Sequence, residues 1–355
     1  MTDIGKIQIM PNGNPFGTHR VIAPEGVLPQ PAEKINNDTD IIWDNEILIE
    51  VDALNIDSAS FAQIRNESGG DKKKIEKSIL DIVRKRGKMQ NPVTGSGGMF
   101  IGRILAIGNR LESKSALSVG DKIASLVSLS LTPLRIEKII DIKTDIEQVE
   151  IRGRAVLFES GVYAKLPGDI SETLALAVLD VAGAPAQTER LVQKGDTVVI
   201  FGATGKSGIL CAYTAKKLAG KYGRVIGIGH SDHKINSLEA LDLCDDILKL
   251  NAADALACHD AIFRITEGKM ADVVINCVNI PETEMASILC CRDRGIIYFF
   301  SMATSFTKAA LGAEGVGKDV DMIIGNGYAA GHADIALNII RASEKIYSLY
   351  ESIYT

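Results

Sequence analysis

One stretch of the chain has the residue types and the spacing that bind phosphate groups. Residues 198–208 read Val-Val-Ile-Phe-Gly-Ala-Thr-Gly-Lys-Ser-Gly, and the pattern of residues 209–219 then indicates a helix. Where an apolar run ends in closely spaced glycines and turns helical, backbone N–H groups and the helix N-terminus can hold a pyrophosphate. The sequence therefore predicts a nucleotide site at Gly202, Ala203, Thr204, Gly205, Lys206, Ser207 and Gly208.

The match of this stretch to the dinucleotide fingerprint is partial. Gly205 and Gly208 occupy the positions of the last two glycines of the fingerprint, whereas Ala203 occupies the position where the fingerprint has its first glycine. A tight structural turn is one alternative. The phosphate loop of ATP- and GTP-hydrolysing proteins is another, although that motif requires a glycine where this chain has Ile200. A second apolar segment, 224–229, follows at the distance of a βαβ unit and favours the dinucleotide.

The end of this second segment bears on the choice between NAD and NADP. Enzymes that use NAD place an acid there to bind the ribose diol, but this segment ends at Gly229. His230 and Ser231 follow, with Lys234 nearby, and they favour the 2′-phosphate of NADP. NAD is the alternative, because the carboxylate of Asp232 could reach the ribose after a short shift of register. The strand ends on the nicotinamide side supply the further expected contacts Asn276, Cys277, Val278, Ser301 and Met302.

The elements that position these residues fall into two domains with different patterns. Residues 1–168 alternate short extended segments with turns rich in glycine and proline, which is typical of a compact β-rich domain. Residues 169–355 alternate strands with helices, which is typical of a parallel doubly wound sheet. The predicted fold class is therefore α/β, a Rossmann sheet preceded by a β-rich domain. The pattern predicts a strand over 46–55 and helices over 57–65, 71–86, 174–182 and 333–350.

Composition limits the classes of function. A chain of 355 residues with 46% hydrophobic content can bury the cores of two domains, and its net charge of −6 argues against nucleic acid or an anionic membrane as partner. No apolar run reaches the length of a spanning helix, and residues 1–10 lack a signal-peptide pattern, so we expect a cytoplasmic protein. The six cysteines lack Cys-x-x-Cys spacing, which favours reduced structural thiols over disulfides or zinc.

Five segments, in chain order, resemble motifs of the medium-chain dehydrogenase/reductase superfamily. They are residues 55–58, 119–123, 163–167, 225–234 and 323–328. The resemblance implies a GroES-like fold for the N-terminal domain, and the last segment is similar to the edge strand through which many members form homodimers. Zinc-dependent members carry Gly-His-Glu where residues 95–98 read Gly-Ser-Gly-Gly, so the resemblance implies a site without a metal.

Three longer strings, 17–32, 55–61 and 87–99, are similar to the 3,5-diaminohexanoate dehydrogenases of lysine fermentation, a family within this superfamily. That resemblance implies oxidation of the 3-amino group of a small diamino acid to give 5-amino-3-oxohexanoate, with release of ammonia and reduction of NADP or NAD. A zinc-free quinone or enoyl reductase and a non-catalytic NAD(P)-binding protein are the two alternatives.

Oxidative deamination requires a base that takes a proton from the substrate ammonium. The resemblance places Asp57 at the active-site position, with Ser58 beside it as a proton relay; the alternative is that Asp57 only caps a helix. Glu159 is a second candidate carboxylate. Asp180 is a third, because a carboxylate within the apolar run 175–182 is costly unless it is paired.

The substrate also carries a carboxylate, for which an arginine is the preferred ligand. His19 and Arg20 lie in one of the resembling strings and are either a base and a ligand for that carboxylate or structural residues. Lys88 and Gln90 rank below them as candidates.

Overall fold

The computed structural model describes residues 7–112, 117–301, 303–325 and 327–354, apart from the side chain of Ser58. The chain forms two compact units, residues 1–169 and residues 170–355. The boundary between them lies one residue after the predicted domain boundary. Each unit has its own hydrophobic core.

A six-stranded antiparallel sheet forms the centre of the first unit. Four short strands lie outside it, and β1 pairs with β4 while β2 pairs with β3. The strands of this unit are β1 (Gln8–Met10), β2 (Val21–Ala23), β3 (Lys34–Ile35), β4 (Ile41–Trp43), β5 (Glu46–Asn55), β6 (Met99–Ile107), β7 (Lys122–Ser125), β8 (Leu134–Lys143), β9 (Gln148–Phe158) and β10 (Tyr163–Lys165). The order in the large sheet is β10-β7-β6-β5-β9-β8, so the predicted strand over 46–55 is central in it.

Four helices are described in the first unit. They are a 3₁₀ helix (Thr18–Arg20), α1 (Ser58–Glu67), α2 (Lys72–Arg86) and α3 (Asn109–Glu112), and the predicted helices over 57–65 and 71–86 correspond to α1 and α2. In α2 the side chain of Asp71 accepts hydrogen bonds from the first turn, and Gly87 ends the helix with φ of +74°. Ile75, Ile79 and Val83 recur at helical spacing and are buried in the core of the unit.

All strands of the second unit are parallel. They are β11 (Thr197–Phe201), β12 (Arg224–Gly229), β13 (Asp246–Lys249), β14 (Ala271–Asn276), β15 (Cys291–Phe299) and β16 (Asp321–Ile324). Their order is β13-β12-β11-β14-β15-β16, which is the order of dinucleotide-binding sheets. The strand order reverses between β11 and β14, and ligands of such sheets bind at the carboxyl ends of the strands there. The predicted α/β fold class is confirmed.

Helices connect these strands. They are α4 (Glu172–Leu179), α5 (Gly183–Leu191), α6 (Lys206–Ala219), a 3₁₀ helix (Gly220–Tyr222), α7 (Asp232–Leu241), α8 (Ala255–Ile265), α9 (Glu284–Cys290), α10 (Phe306–Gly315), α11 (His332–Ala342) and α12 (Glu344–Tyr354). The prediction of one last helix over 333–350 is wrong, because Ser343 is extended between α11 and α12 and its hydroxyl accepts a hydrogen bond from Ile346 N–H.

Two further features of the described chain bear on the expectations from composition. Among the described residues no helix combines the length and the apolar character needed to cross a bilayer. All six cysteines are free thiols. Burial raises the pKa of Cys244 to about 12 and that of Cys258 to about 11, so both thiols stay protonated at neutral pH.

Candidate active site

The glycine loop follows β11 at the carboxyl edge of the parallel sheet. Gly202 has φ of +76°, which favours glycine, and the N–H groups of Gly202 and Ala203 both donate to the carbonyl oxygen of Ile228 in β12. Gly208 lies in the first turn of α6, where an added Cβ would stand 2.1 Å from the carbonyl oxygen of Gly202. Glycine at position 208 therefore allows α6 to begin directly against the loop.

The first turn of α6 supplies the charge and the donors that a phosphate requires. Gly205 is the N-cap residue, and no side chain among the described residues caps this helix. The N–H groups of the turn are thus available to an anion, and the helix dipole favours negative charge at this end. The ammonium of Lys206 stands at the same turn, 2.6 Å from Asp180 Oδ2. A pyrophosphate fits this arrangement.

The end of β12 explains why no acid stands there. An added Cβ on Gly229 would lie 2.6 Å from Thr204 Cγ2, so a side chain at this position would have to displace the side chain of Thr204. His230, Ser231 and Lys234 are all exposed beyond the strand. Asp232 pairs with Lys249 at 2.6 Å and is itself 76% exposed.

The carboxyl ends of β14 and β15 carry the other predicted cofactor contacts. Val278 is brought to the glycine loop, since a Cβ on Gly202 would lie 3.1 Å from its Cγ2. Asn276 is fully buried; its amide donates to Thr283 Oγ1 and Ser287 Oγ, and its Oδ1 accepts from Val278 N–H. The side chain of Asn276 is thus engaged inside the unit, and this geometry does not support the predicted contact with nicotinamide.

The remaining contacts predicted at these strand ends are Cys277, Ser301 and Met302. The Cys277 thiol lies 4.0 Å from that of Cys211 in α6. The Ser301 hydroxyl accepts a hydrogen bond from Ala303 N–H. Met302 lies outside the described residues.

In the first unit, Asp57 joins β5 to α1. It is the N-cap of α1, and its Oδ1 accepts a hydrogen bond of 3.0 Å from Ser60 N–H. Its Oδ2 is buried and has no hydrogen-bond partner within the described part of the chain. Asp57 is therefore a helix cap with one carboxylate oxygen left for another partner. The side chain of Ser58 lies outside the described part of the structure.

A cluster of three hydroxyl groups that the sequence analysis did not predict lies near this cap. Ser60 Oγ lies 2.6 Å from Thr94 Oγ1 and 3.1 Å from Ser96 Oγ. The loop that carries the two latter residues approaches closely because Gly98 has no side chain: an added Cβ there would lie 2.8 Å from Asp57 N. The glycine-rich string 87–99 is thus packed against the β5–α1 junction. This cluster could not be foreseen, because Ser60 lies more than 30 residues from Thr94 and Ser96 in the chain.

Arg20 is fully buried, and all five of its N–H groups are used. Two of them donate to Glu46 at 2.7 Å each, and the other three donate to the backbone carbonyls of Asn36, Asp38 and Ile41. No N–H remains for a substrate carboxylate. This geometry favours the structural role of Arg20 over the role of a carboxylate ligand.

His19 belongs to the same network. Its Nδ1 accepts a hydrogen bond from Asn14 N–H, so Nε2 carries the proton and donates to Glu46 Oε1 at 2.8 Å. Burial alone would raise the pKa of Glu46, but the hydrogen bonds from Arg20 and His19 and the charge of Arg20 hold it below its usual value. Both ring nitrogens of His19 are engaged, which favours its structural role as well.

The other two candidate carboxylates form ion pairs. Glu159 pairs with Arg110 and also accepts from Asn45 Nδ2 at 3.4 Å. The sequence suggests that Asp180 lies among the aliphatic side chains of its segment. In the structure it does not. It is the C-cap residue of α4, its side chain is 40% exposed, and it pairs with Lys206. The reason is the helical turn: residues 174, 175, 176, 178 and 179 are buried, whereas Asp180 follows them on the outer side.

Lys88 and Gln90 hold a turn of the chain in place. Lys88 is fully buried, and its ammonium donates to the carbonyl oxygens of Pro29 and Gln30 at 2.6 and 2.9 Å. Gln90 donates to Gln30 and Gly95. Burial, followed by the charge of Arg86, lowers the pKa of Lys88 to about 8.

Similar proteins decide the family. A family model described as the L-erythro-3,5-diaminohexanoate dehydrogenase N-terminal domain matches residues 19–167. A protein of Acetoanaerobium sticklandii named L-erythro-3,5-diaminohexanoate dehydrogenase is 60% identical over 342 residues, which are 96% of this chain and 99% of the relative. This chain belongs to the L-erythro-3,5-diaminohexanoate dehydrogenase family. A relative of the same name from Fusobacterium nucleatum is 56% identical over 348 residues. The family resemblance of strings 17–32, 55–61 and 87–99 is thereby confirmed.

Solved structures similar to this member of the family share its fold. An alcohol dehydrogenase from Thermotoga maritima has a TM-score of 0.54 at 17% identity. The match covers 87% of this chain and 84% of the alcohol dehydrogenase chain. A mycobacterial protein determined with NADPH has a TM-score of 0.53 at 18% identity, over 88% and 82%. The quinone oxidoreductase of Escherichia coli, also determined with NADPH, has a TM-score of 0.51 at 16% identity, over 85% and 80%. At these identities the likeness shows the fold alone.

Proposed function

We propose that this protein catalyses the oxidative deamination of L-erythro-3,5-diaminohexanoate to 5-amino-3-oxohexanoate, with release of ammonia and reduction of a nicotinamide dinucleotide. The observation that carries the proposal is the 60% identity to a dehydrogenase of that name. The identity extends over 96% of the chain and therefore over both the unit that carries Asp57 and the unit that carries the glycine loop.

The glycine loop and the first turn of α6 would hold the pyrophosphate of the dinucleotide. The N–H groups of this turn are not capped by a side chain of the described chain, and Lys206 adds a positive charge. The nicotinamide ring, when bound, accepts the hydride that leaves C3 of the substrate.

NADP is the dinucleotide that we favour. Gly229 carries no acid at the end of β12, where a side chain would collide with that of Thr204, and His230, Ser231 and Lys234 are exposed just beyond it. The carboxylate of Asp232, which would serve the ribose diol of NAD, is paired with Lys249. NAD is the alternative if Asp232 leaves this exposed pair, which is a weak one.

Asp57 is the base in this proposal. Its Oδ2, which has no hydrogen-bond partner among the described residues, takes a proton from the C3 ammonium, and the nitrogen lone pair then forms the iminium as hydride leaves C3. Asp57 releases this proton to solvent, and it then accepts a proton from the water that adds to C3 as the carbinolamine forms. Asp57 returns that proton to the nitrogen, ammonia leaves, and loss of the hydroxyl proton leaves the ketone.

We infer in addition that the protein works as a homodimer in the cytoplasm. The dimer is suggested by the position of β16 at the edge of the parallel sheet, where the exposed side chain of Ile324 lies. The cytoplasmic location is an expectation from the sequence pattern alone.

An assay of the full-length protein with 3,5-diaminohexanoate tests the proposal. NAD and NADP are supplied in separate reactions, and both the reduced nicotinamide and the released ammonia are measured. We expect one ammonia for each dinucleotide reduced, and a higher kcat/KM with NADP. Oxidation of NADPH by quinones or enoyl thioesters, without turnover of the diamino acid, would instead identify a reductase. Tight dinucleotide binding without any turnover would identify a non-catalytic binding protein.

A further inference from the structure

The C-terminal helix α12 is tied to the glycine loop through the backbone. Tyr350 is fully buried, and its hydroxyl donates a hydrogen bond to the carbonyl oxygen of Lys206, 144 residues earlier in the chain. Lys206 is the first residue of α6. Helix α12 therefore holds the first turn of α6, whose N–H groups would face the phosphates of a bound dinucleotide.

The side chain of Lys206 is held at the same place by two other elements. Its ammonium lies 2.6 Å from Asp180 Oδ2 at the end of α4 and 5.6 Å from the ring centroid of Tyr354 in α12. Tyr354 in turn packs edge-on against Tyr350, with 5.3 Å between the ring centroids. Burial, and then the negative charge of Asp180, raises the pKa of Tyr354, so the ring next to the ammonium stays a neutral phenol.

We propose that α12 is part of the dinucleotide site, with Tyr350 as a positioning residue for the first turn of α6 and with Asp180 and Tyr354 fixing where Lys206 presents its charge. This inference rests on the proposed function. The physical reason is preorganisation: the loop contains glycines at 202, 205 and 208, and its helix has no side-chain cap among the described residues. Without a contact from another element, the first turn would lose more conformational entropy when it becomes ordered around the pyrophosphate.

Tyr350→Phe is the decisive variant, because it removes one oxygen and keeps the buried ring. We expect the Kd of ADP-ribose, measured by calorimetry, to rise about threefold to tenfold, which is the effect of one hydrogen bond. The KM for the dinucleotide should rise by the same factor, while kcat and the KM for the diamino acid stay unchanged. If NADP is the preferred dinucleotide, 2′-phospho-ADP-ribose takes the place of ADP-ribose.

Tyr347→Phe is the matched control on the same helix. Its hydroxyl lies on the exposed side, 3.5 Å from Glu351, so its removal should leave ADP-ribose binding unchanged. Lys206→Met is the second variant. It should weaken ADP-ribose binding and flatten the dependence of that binding on salt, because one cation near the phosphates is lost.

The outcomes separate this inference from the proposed function. A wild-type protein that binds neither ADP-ribose nor 2′-phospho-ADP-ribose would contradict the proposed function itself. Wild-type binding that is equal to that of Tyr350→Phe would overturn only the role of α12. Equal losses of kcat, of substrate KM and of ADP-ribose affinity in Tyr350→Phe would also overturn it, since they would show a general loss of structure.

Discussion

Asp57 uses one carboxylate oxygen to cap α1 and leaves the other buried without a hydrogen bond among the described residues. Asp57→Asn separates the two roles, because asparagine caps a helix as well as aspartate does but cannot take a proton. We expect kcat to fall at least about tenfold and by as much as about 10⁴-fold, the usual range for loss of a positioned base. Dinucleotide affinity, measured by fluorescence titration, should not change.

The thermal midpoint of Asp57→Asn serves as the control for folding and should match that of the wild type. Unchanged turnover would mean that Asp57 is a cap only. Glu159, which is paired with Arg110 in the structure, would then be the next carboxylate to test.

Glu46 carries the buried network of the first unit. Glu46→Gln keeps the shape of the side chain but leaves the charge of Arg20 unpaired, and such a loss costs about 3–5 kcal/mol of unfolding free energy. The only tryptophan of the chain, Trp43, lies 4.8 Å from the guanidinium of Arg20, so its fluorescence in urea reports on this unit. Glu25→Gln is the control, because Glu25 is exposed.

The stabilisation by Glu46 depends on pH with a defined sign. Because the pKa of Glu46 is lowered in the folded state, its contribution is present above the unfolded value of about 4.3 and is lost as pH falls through the lower folded value. The difference between Glu46→Gln and wild type should therefore be largest near neutral pH and shrink in acid. A difference that stays constant down to the acid transition would contradict this assignment.

At the scale of elements, the contact between the glycine loop and α6 depends on the absence of a side chain at position 208. Gly208→Ala puts a methyl group 2.1 Å from the carbonyl oxygen of Gly202, so the helix and the loop must separate. We expect the Kd of the dinucleotide to rise at least about tenfold, as one or two first-turn hydrogen bonds to the phosphates are lost. Gly315→Ala in α10 is the matched control, because nothing lies within 4 Å of its added Cβ. Equal affinities in the two variants would show that the loop tolerates the separation.

Elements with local signals could be predicted from the sequence, and contacts across the chain could not. The strand over 46–55 and the helices that start after Asp57 and Asp71 follow from alternation and capping residues, which act within a few positions. The partners of the Arg20–Glu46 pair are 26 residues apart and those of the Tyr350–Lys206 hydrogen bond are 144 apart. Neither contact therefore produces a periodic pattern in the sequence. The expectation that Asp180 is surrounded by aliphatic side chains is wrong, because an apolar composition does not indicate at which residue a helix ends.

At the scale of the whole molecule, β16 leaves one edge of the parallel sheet unpaired among the described residues. The N–H group of Gly325 donates to the carbonyl oxygen of Phe299 in β15. Successive residues of a strand turn their N–H groups to opposite sides, so those of Met322 and Ile324 point away from the sheet. Ile324 is 41% exposed. An edge of this kind can pair with a second copy of itself about a twofold axis.

Ile324→Pro tests the homodimer with little effect on the sheet itself, since it removes an N–H group that points outward rather than toward β15. We expect the wild type to have twice the chain mass of 38.1 kDa in light scattering after gel filtration. In Ile324→Pro the dimer dissociation constant should rise about tenfold to a hundredfold, because one hydrogen bond is lost twice in a symmetric interface. Ile324→Thr keeps both the N–H group and the β-branched shape, and it should remain a dimer. A wild-type monomer, or a dimer that survives Ile324→Pro, would show that β16 is not the interface.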